Sequence, residues 1–143
     1  MLTRLLSNCY YNDQPWQENI LPEEIINKYF EEMIRRGNII TIAHEGELLG
    51  YVEFHRLNFE QFGRVTCKAE FFPLDENTVD GEVCYIANLW IKDDMRKGKI
   101  FEGLEKLFFA INHNANYFTG FRVMKNKSMK VYHRSQIRKG LLN

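Results

Sequence analysis

The sequence predicts an α+β (α/β) domain in which helices cover a mixed β-sheet. Val83–Ile91 is apolar or small at nearly every position and rich in β-branched and aromatic residues, which is typical of a strand covered on both faces. Residues 92–99 are mostly charged. After them, apolar residues three and four positions apart predict a helix with one buried stripe: Ile100, Phe101, Leu104, Leu107, Phe108 and Ile111. A buried strand that enters a helix through a basic turn favours phosphate binding, because the first N–H groups of the helix have no partner within it.

The totals indicate one folded domain, residues 1–143, because a chain of this length buries about two-thirds of its unfolded surface. With 45% hydrophobic and 14% aromatic residues, its composition is that of a globular protein. No apolar run approaches the ~18 residues of a membrane span, and the first residues do not resemble a signal peptide. We therefore expect a cytoplasmic protein with no membrane partner. Three cysteines lie far apart without a CxxC pair, which favours free buried thiols over disulfides or a metal site: Cys9, Cys67 and Cys84.

Charge is distributed unevenly along the chain although the net charge is zero. Residues 1–91 carry 7 Lys and Arg against 15 Asp and Glu, whereas residues 92–143 carry 12 against 4. Such an asymmetry can steer an anion, either a phosphorylated cofactor or a nucleic acid, towards the basic half. The same pattern is also compatible with two differently solvated surfaces.

The first third of the chain predicts a helix and a β-hairpin. The leucines of residues 1–6 suit either a strand or a short helix, and residues 8–18 read as a loop. Pro22 and two carboxylates begin a helix that ends at Gly37, with a buried stripe of Ile25, Ile26, Tyr29, Phe30, Met33 and Ile34. Residues 38–43 and 48–57 then form two strands joined by a short turn. Strand alternation places Glu53 and His55 on one face, either as an acid–base pair or as solvated polar residues at a sheet edge.

The remaining segments complete the predicted sheet. Residues 64–72 suit an additional strand, and residues 115–124 suit an interior strand parallel to Val83–Ile91. Ser128 is a candidate N-cap for a last helix that carries Met129, Val131 and Tyr132.

The order of these elements and the central unit resemble the GNAT family of N-acetyltransferases. In that family the buried strand enters its helix as Leu-x-Val-x-Pro-x-x-Arg-Gly-x-Gly-Ile-Gly-x-x-Leu. Residues at the matching spacings here are Leu89, Ile91, Arg96, Ile100 and Leu104. The resemblance implies a GNAT-like mixed, twisted β-sheet flanked by helices on both faces and shortened at the C-terminus.

The resemblance also implies a site for acetyl-CoA, whose pyrophosphate is held in that family by backbone amides of this turn. The residues concerned are Leu89, Trp90, Ile91, Arg96, Lys97, Gly98, Lys99, Ile100 and Phe101. The turn departs from the family pattern, since Asp93 replaces the proline and Lys99 and Phe101 replace two glycines. The basic residues could attract phosphate as point charges, or could form a solvated turn.

Catalytic candidates follow from the same resemblance. Residues 128–134 are similar to the family's Ala-x-x-Leu-Tyr-x-Lys helix, in which the tyrosine can protonate the leaving thiolate, and Tyr132 takes its place. The alternative for Tyr132 is ordinary packing of a helical tyrosine. The family has no fixed general base, and the local candidates are Glu82 and Glu53. Cys84 is more simply a structural thiol than a nucleophile.

Three functions remain open from the sequence. The first is transfer of an acetyl group from acetyl-CoA to an amine of a small molecule or protein. The second is a GNAT-fold module that lacks coenzyme activity and binds or inhibits a partner. The third is a nucleic-acid-binding or nucleic-acid-modifying protein that uses its basic C-terminal half, with Lys125, Lys127, Lys130, Arg134, Arg138 and Lys139 beside Phe118, Phe121 and Tyr132. The short chain and the altered motif would suit a viral or mobile-element protein.

Overall fold

The chain folds into a five-stranded mixed β-sheet flanked by helices. The computed structural model describes residues 1–13, 21–66, 78–93, 98–121 and 129–137. Its elements are α1 (Leu2–Asn12), α2 (Glu23–Arg36), β1 (Ile39–His44), β2 (Glu47–Leu57), α3 (Phe59–Thr66), β3 (Val83–Ile91), α4 (Lys99–Ile111), β4 (Tyr117–Phe121) and β5 (Met129–His133). The strand order is β1-β2-β3-β4-β5, and every neighbouring pair is antiparallel except β3 and β4. The predicted fold class is confirmed.

Helices cover both faces of this sheet. Helices α1 and α2 pack on one face, where Leu6, Phe30 and Met33 meet Tyr51 and Trp90. Helix α4 packs on the other face, where its buried residues meet side chains that alternate with those of the first face. In the part of the chain that the structure describes, no helix has the length and apolar character that crossing a bilayer requires.

The predicted helix α2 and the hairpin are confirmed with small changes. Gly37 ends α2 with a φ of 72°, in the left-handed region that favours glycine. Ile25, expected in the buried stripe, is half exposed, because the helix contacts the sheet along a narrower strip than the apolar residues cover. Strands β1 and β2 pair around the turn at Glu45 and Gly46, both with positive φ.

Two segments that the sequence predicted to be a loop and a strand are helical where the structure describes them. The predicted loop at residues 8–18 is wrong for residues 8–12, which continue α1, since Cys9 and Tyr10 pack against α2. The additional strand predicted at residues 64–72 is wrong for residues 64–66, which end α3. Residues 14–18 and 67–72 lie outside the described residues. The predictions overlooked a helical spacing in the sequence, because apolar residues three and four positions apart run through α1 as Leu2, Leu5, Leu6, Cys9 and Tyr10.

The predicted last helix is a strand. Met129–His133 pairs antiparallel with β4, with Tyr132 opposite Phe118. Residues 129–133 alternate in polarity about as well as they fit a helical stripe, and pairing satisfies the backbone groups along β4. Tyr132 therefore lies on a β-strand, and the similarity of residues 128–134 to the family's tyrosine helix does not extend to structure.

Strand β3 and helix α4 form as predicted, but each is less buried than the sequence predicted. Strand β3 lies mid-sheet as expected. It is not covered on both faces throughout, since Leu89 is 44% exposed. On α4 only Leu104 and Phe108 are fully buried, whereas three residues of the predicted stripe are exposed: Phe101, Leu107 and Ile111. A helix on one face of a sheet buries only the side that touches the sheet.

Candidate active site

Among the described residues, the pairing of the parallel strands β3 and β4 covers only the first half of β3. Their register runs from Val83 opposite Tyr117 to Ile86 opposite Gly120. On its other side β3 stays paired with β2 up to Ile91, which lies opposite Gly50. Five residues of β3, 87–91, therefore extend past the last pair with β4 within the described part of the chain. We call this segment and its surroundings the β3–β4 opening.

A β-bulge marks the start of the opening. Glu53 of β2 lies opposite Asn88, but the next residue, Phe54, lies opposite Ile86. Ala87 is thus the extra residue on β3. A bulge bends its strand and increases the local twist, and bulges are frequent beside active sites. Here the bend lies directly after Ile86, the last residue of β3 that pairs with a described residue of β4.

The N-terminus of α4 lies at the same end of the sheet as the opening. A Cβ added to Gly50 would lie 3.1 Å from Cγ2 of Ile100 and 3.2 Å from Cδ1 of Leu104, so the first turns of α4 pack against Gly50 and its neighbour Ile91. The helix begins after Gly98, which has extended backbone and offers no side-chain cap. The N–H groups of its first turn, together with the helix dipole, favour an anion at this position.

The predicted cofactor residues divide into three groups. Leu89 is exposed beside the opening, whereas Trp90 and Ile91 are buried on opposite faces of the sheet and present only their backbone. Gly98 and Lys99 are exposed and Ile100 is half-buried at the start of α4, and Phe101 is 38% exposed. Arg96 and Lys97 lie outside the described residues. The phenylalanine ring at the first turn is therefore not sequestered in the core.

Beneath the opening, a polar cluster lies in the core between α2 and the sheet. We define the Glu53 cluster as Tyr29, Glu53, His55 and Asn88. The Tyr29 hydroxyl donates a hydrogen bond to Oε2 of Glu53 and lies 3.5 Å from Nε2 of His55. Asn88 hydrogen-bonds the same carboxyl and also donates to the Tyr51 hydroxyl at 2.8 Å. The sequence placed Glu53 and His55 on one face, which is confirmed, but the alternative of solvated edge residues is wrong.

Burial changes the pKa of the three titratable members of the cluster. Desolvation raises the pKa of Glu53 to about 7, although the hydrogen bonds from Tyr29 and Asn88 act in the opposite direction. Burial, aided by the charge of Arg36, lowers the pKa of His55 to about 3. Burial and the neighbouring Glu53 carboxylate raise the pKa of Tyr29 well above its usual value. The cluster can thus exchange a proton near neutral pH only at Glu53.

His55 carries an unsatisfied polar atom. Its ring is fully buried, and Nδ1 has no hydrogen-bond partner, the one such side-chain atom among the described residues. An unpaired buried polar group costs about 1–3 kcal/mol. The unpaired nitrogen therefore makes the cluster less stabilising than apolar side chains packed in the same part of the core would be.

The other two acid–base candidates lie away from the opening. Glu82 is exposed just before β3, with its carboxylate 3.4 Å from Nδ2 of Asn116. It precedes Asn88 by six residues, about 20 Å of strand. Tyr132 lies opposite Phe118, which pairs with Cys84, and Leu89 is five residues further along β3, about 16 Å. Of the three predicted residues, the structure brings only Glu53 close to the opening.

The remaining sequence candidates have structural surroundings. Cys9 and Cys84 are buried free thiols, as predicted, and Cys67 lies outside the described residues. Burial raises the pKa of Cys84 to about 12, which disfavours a nucleophilic thiolate.

The predicted nucleic-acid surface is only partly within the described residues. Arg134 donates to the backbone oxygens of Ala115 and Asn112, each at 2.7 Å, and lies over the ring of Phe118. Phe118 is itself buried, so neither residue presents a free charge or stacking face. The side chains of Lys125, Lys127, Lys130, Arg138, Lys139 and Phe121 lie outside the described part of the chain.

Sequence reasoning missed Tyr29 and Asn88 as members of the site. Tyr29 counted only as part of a buried stripe, although a buried tyrosine hydroxyl requires a hydrogen-bond partner. Asn88 is the one amide side chain within the otherwise apolar run Val83–Ile91. An amide in a buried strand also requires a partner, and that signal could have identified the cluster.

Comparison with known proteins identifies the fold. No protein-family model matches this chain, and no curated protein matches it in sequence. Among solved structures, the loading GNATL domain of CurA from Lyngbya majuscula superposes with a TM-score of 0.60 at 13% identity, covering 82% of this chain and 59% of that one. The GphF GNAT-like decarboxylase in complex with isobutyryl-CoA gives a TM-score of 0.60 at 12% identity, with coverage of 84% and 62%.

An acetyltransferase is also similar in structure. The ribosomal-protein-alanine N-acetyltransferase from Brucella melitensis biovar Abortus 2308 has a TM-score of 0.52 at 13% identity, covering 87% of this chain and 78% of that one. The chain spans about three-fifths of the length of the first two structures. These likenesses show that the chain has a GNAT fold, as the sequence resemblance implied.

Proposed function

We propose that this protein is an N-acyltransferase that transfers an acetyl group from acetyl-CoA to an amine. The observation that carries the proposal is the position of the β3–β4 opening at the same end of the sheet as the N-terminus of α4. An extended chain with amide groups can hydrogen-bond along a strand that has parted from its neighbour. A phosphate is favoured at a helix N-terminus. Coenzyme A combines both chemical features in one molecule.

The side chains beside β3 are compatible with such a ligand, whereas two side chains at the start of α4 reduce the space available to its phosphate. Leu89 offers an exposed apolar surface beside the opening, and Lys99 adds positive charge at the first turn of α4. The side chains of Lys99 and Phe101 stand where glycines would let a phosphate approach the backbone closely. We therefore expect binding that depends more on the opening and on charge than on an amide cradle.

The acid–base step is assigned to Glu53. Acetyl-CoA supplies the acyl group as a thioester, which an amine can attack with loss of the thiolate. The amine must lose a proton as its nitrogen forms the new amide bond. Glu53 accepts this proton, because a carboxyl with a pKa of about 7 is a sizeable fraction carboxylate at neutral pH. The expelled thiolate, with an ordinary pKa of about 8.5, can take a proton from water. The positions of Glu82 and Tyr132 favour neither for this step.

The test is calorimetric titration with acetyl-CoA, isobutyryl-CoA and free CoA. A ligand present at 100 times its Kd should stabilise the fold by about 2.7 kcal/mol, so thermal unfolding provides an independent measure. Leu89→Trp should fill the opening and weaken binding at least tenfold. Leu107→Trp is the matched control, since Leu107 is 45% exposed on α4 but lies away from the opening, and it should bind like wild type.

Failure of wild type to bind any of the three ligands while folded would refute the proposal. The second reading, a GNAT-fold module without coenzyme activity, would then be preferred. In that case the combined Lys99→Gly and Phe101→Gly substitution separates an obstructed site from a lost one. It should create binding only if the two side chains alone obstruct the phosphate.

A further inference from the structure

The Glu53 cluster contains more hydrogen-bonding groups than a general base needs. Its carboxyl is 5% exposed, and Tyr29 reaches it from α2 across the sheet interface. The hydrogen bond joins residues 24 positions apart, so it forms only when α2 is docked. Its geometry thus depends on the tertiary fold.

We propose that Tyr29 is a positioning residue for Glu53, holding its carboxyl towards Asn88. This inference rests on the proposed function. It adds a residue that the β3–β4 opening alone does not provide. The polar and charged groups that interact with Glu53, Tyr29 or His55 come from three elements. They are Tyr29 and Arg36 of α2, Tyr51 and His55 of β2, and Tyr85 and Asn88 of β3.

The pairing of β2 with β3 shows on which face of the sheet the Glu53 cluster lies. Residues opposite one another in an antiparallel pair point to the same face, so Glu53 and Asn88 share the face covered by α1 and α2. Asn88 is half-buried, whereas Tyr29 and His55 are buried on the inner side of the carboxyl. Asn88 is therefore the less buried of the two hydrogen-bond partners of the carboxyl, and it lies in the segment 87–91 that borders the opening.

The unpaired nitrogen of His55 supports a functional origin for the cluster. The single O–H of Tyr29 is donated to Glu53, so its oxygen can accept from Nε2 of His55, and Nδ1 is left as a bare acceptor. An apolar residue at position 55 would avoid this cost. The histidine keeps a polar group against Tyr29 and limits the directions in which its hydroxyl can point.

The hydrogen bond from Tyr29 stabilises the carboxylate form of Glu53 over the protonated form. Its loss in Tyr29→Phe should raise the pKa of Glu53 by about one to two pH units. The acidic limb of the turnover profile should move upward by the same amount. Turnover at pH 7 should then fall about fivefold or more and recover by about pH 9, a recovery that simple structural damage would not produce.

The experiment measures acetyl transfer to a primary amine from pH 5 to 9, together with the ¹³C NMR titration of the Glu53 carboxyl. Tyr10→Phe is the matched control: it removes another buried hydroxyl from the same core, one that accepts from the backbone N–H of Leu21. That variant should leave both profiles unchanged. If Tyr29→Phe does not fold, Asn88→Ala removes the other hydrogen bond to the carboxyl and should shift both in the same direction.

The possible outcomes separate this inference from the proposed function. An active wild type whose acidic limb is unmoved by Tyr29→Phe, or whose turnover falls equally at every pH, overturns the role of Tyr29. An inactive wild type overturns the acyltransferase. The NMR titration then still decides whether Tyr29 holds the Glu53 carboxyl, since a midpoint unchanged in the variant would refute that as well.

Discussion

Replacing Glu53 by Gln should change how the stability of this protein depends on pH. The folded chain holds the pKa of Glu53 at about 7, against 4.5 for an ordinary glutamate. The unfolded chain therefore releases this proton at a lower pH than the folded chain does. The stabilisation from the neutral carboxyl is fully present below about pH 4.5 and is lost as pH rises through 7.

The magnitude follows from the difference between the two pKa values. One pH unit corresponds to about 1.4 kcal/mol, so Glu53 should cost about 3 kcal/mol of folding free energy between pH 4.5 and pH 8. His55 acts in the opposite direction, because its pKa of about 3 in the folded chain lies below the ordinary 6.5. Its contribution is present above 6.5 and is lost as pH falls towards 3. Between 4.5 and 6.5 the two slopes cancel, and stability should be nearly flat.

Urea unfolding of wild type and Glu53→Gln at pH 4.5, 6 and 8 isolates the carboxyl, since His55 and all other groups titrate in both proteins. Glutamine keeps an oxygen that accepts from Tyr29. Relative to wild type, the variant should become more stable by about 3 kcal/mol on going from pH 4.5 to pH 8. Glu31→Gln, on the exposed side of α2, should show no such change. A difference that is the same at all three pH values would refute the buried, neutral carboxyl.

Three further predictions test the packing. Gly81→Ala should destabilise the protein by about 1–3 kcal/mol in urea unfolding, because its Cβ would lie 2.5 Å from the backbone oxygen of Leu57. Gly63→Ala on α3, whose Cβ would have nothing within 4 Å, should be neutral or slightly stabilising. Leu89→Asp should cost less than about 1 kcal/mol because Leu89 is exposed, and Leu57→Asp at a fully buried position should cost more than about 4; equal effects would contradict the assigned burial. His55→Leu should raise the free energy of unfolding at pH 7 by about 1 kcal/mol, because it removes the unpaired Nδ1, and a loss of stability would show that the ring is paired.

The fold was predictable wherever a local pattern was long and regular. Helix α2 combines an acidic first turn, a basic last turn and a terminal glycine, all of which act within a few residues. Strand β3 and helix α4 are marked by a change from a continuous apolar run to a helical period. The parallel pairing of β3 with β4 could be inferred because a parallel pair of strands needs a crossover connection, which α4 supplies.

Short segments were decided by their neighbours. Five residues of β5 suit a helix and a strand about equally, and pairing with β4 made them a strand. Residues 8–12, in contrast, continue the helical spacing of Leu2, Leu5 and Leu6 through Cys9 and Tyr10, a signal that the sequence does contain, and residues 64–66 complete the short helix α3. Over so few residues, the intrinsic preference for helix or strand contributes less free energy than packing against a neighbouring element does.

By itself, the sequence determined the fold class, the central strand-and-helix unit and the face that Glu53 shares with His55, because these depend on residue spacing along the chain. Only the tertiary structure decided which of the candidate residues lie together. Glu53, Tyr29 and Asn88 come from β2, α2 and β3, and burial beneath α2 moves the pKa of Glu53 towards neutrality. Desolvation is a property of all surrounding atoms together, so no spacing within one segment could reveal it.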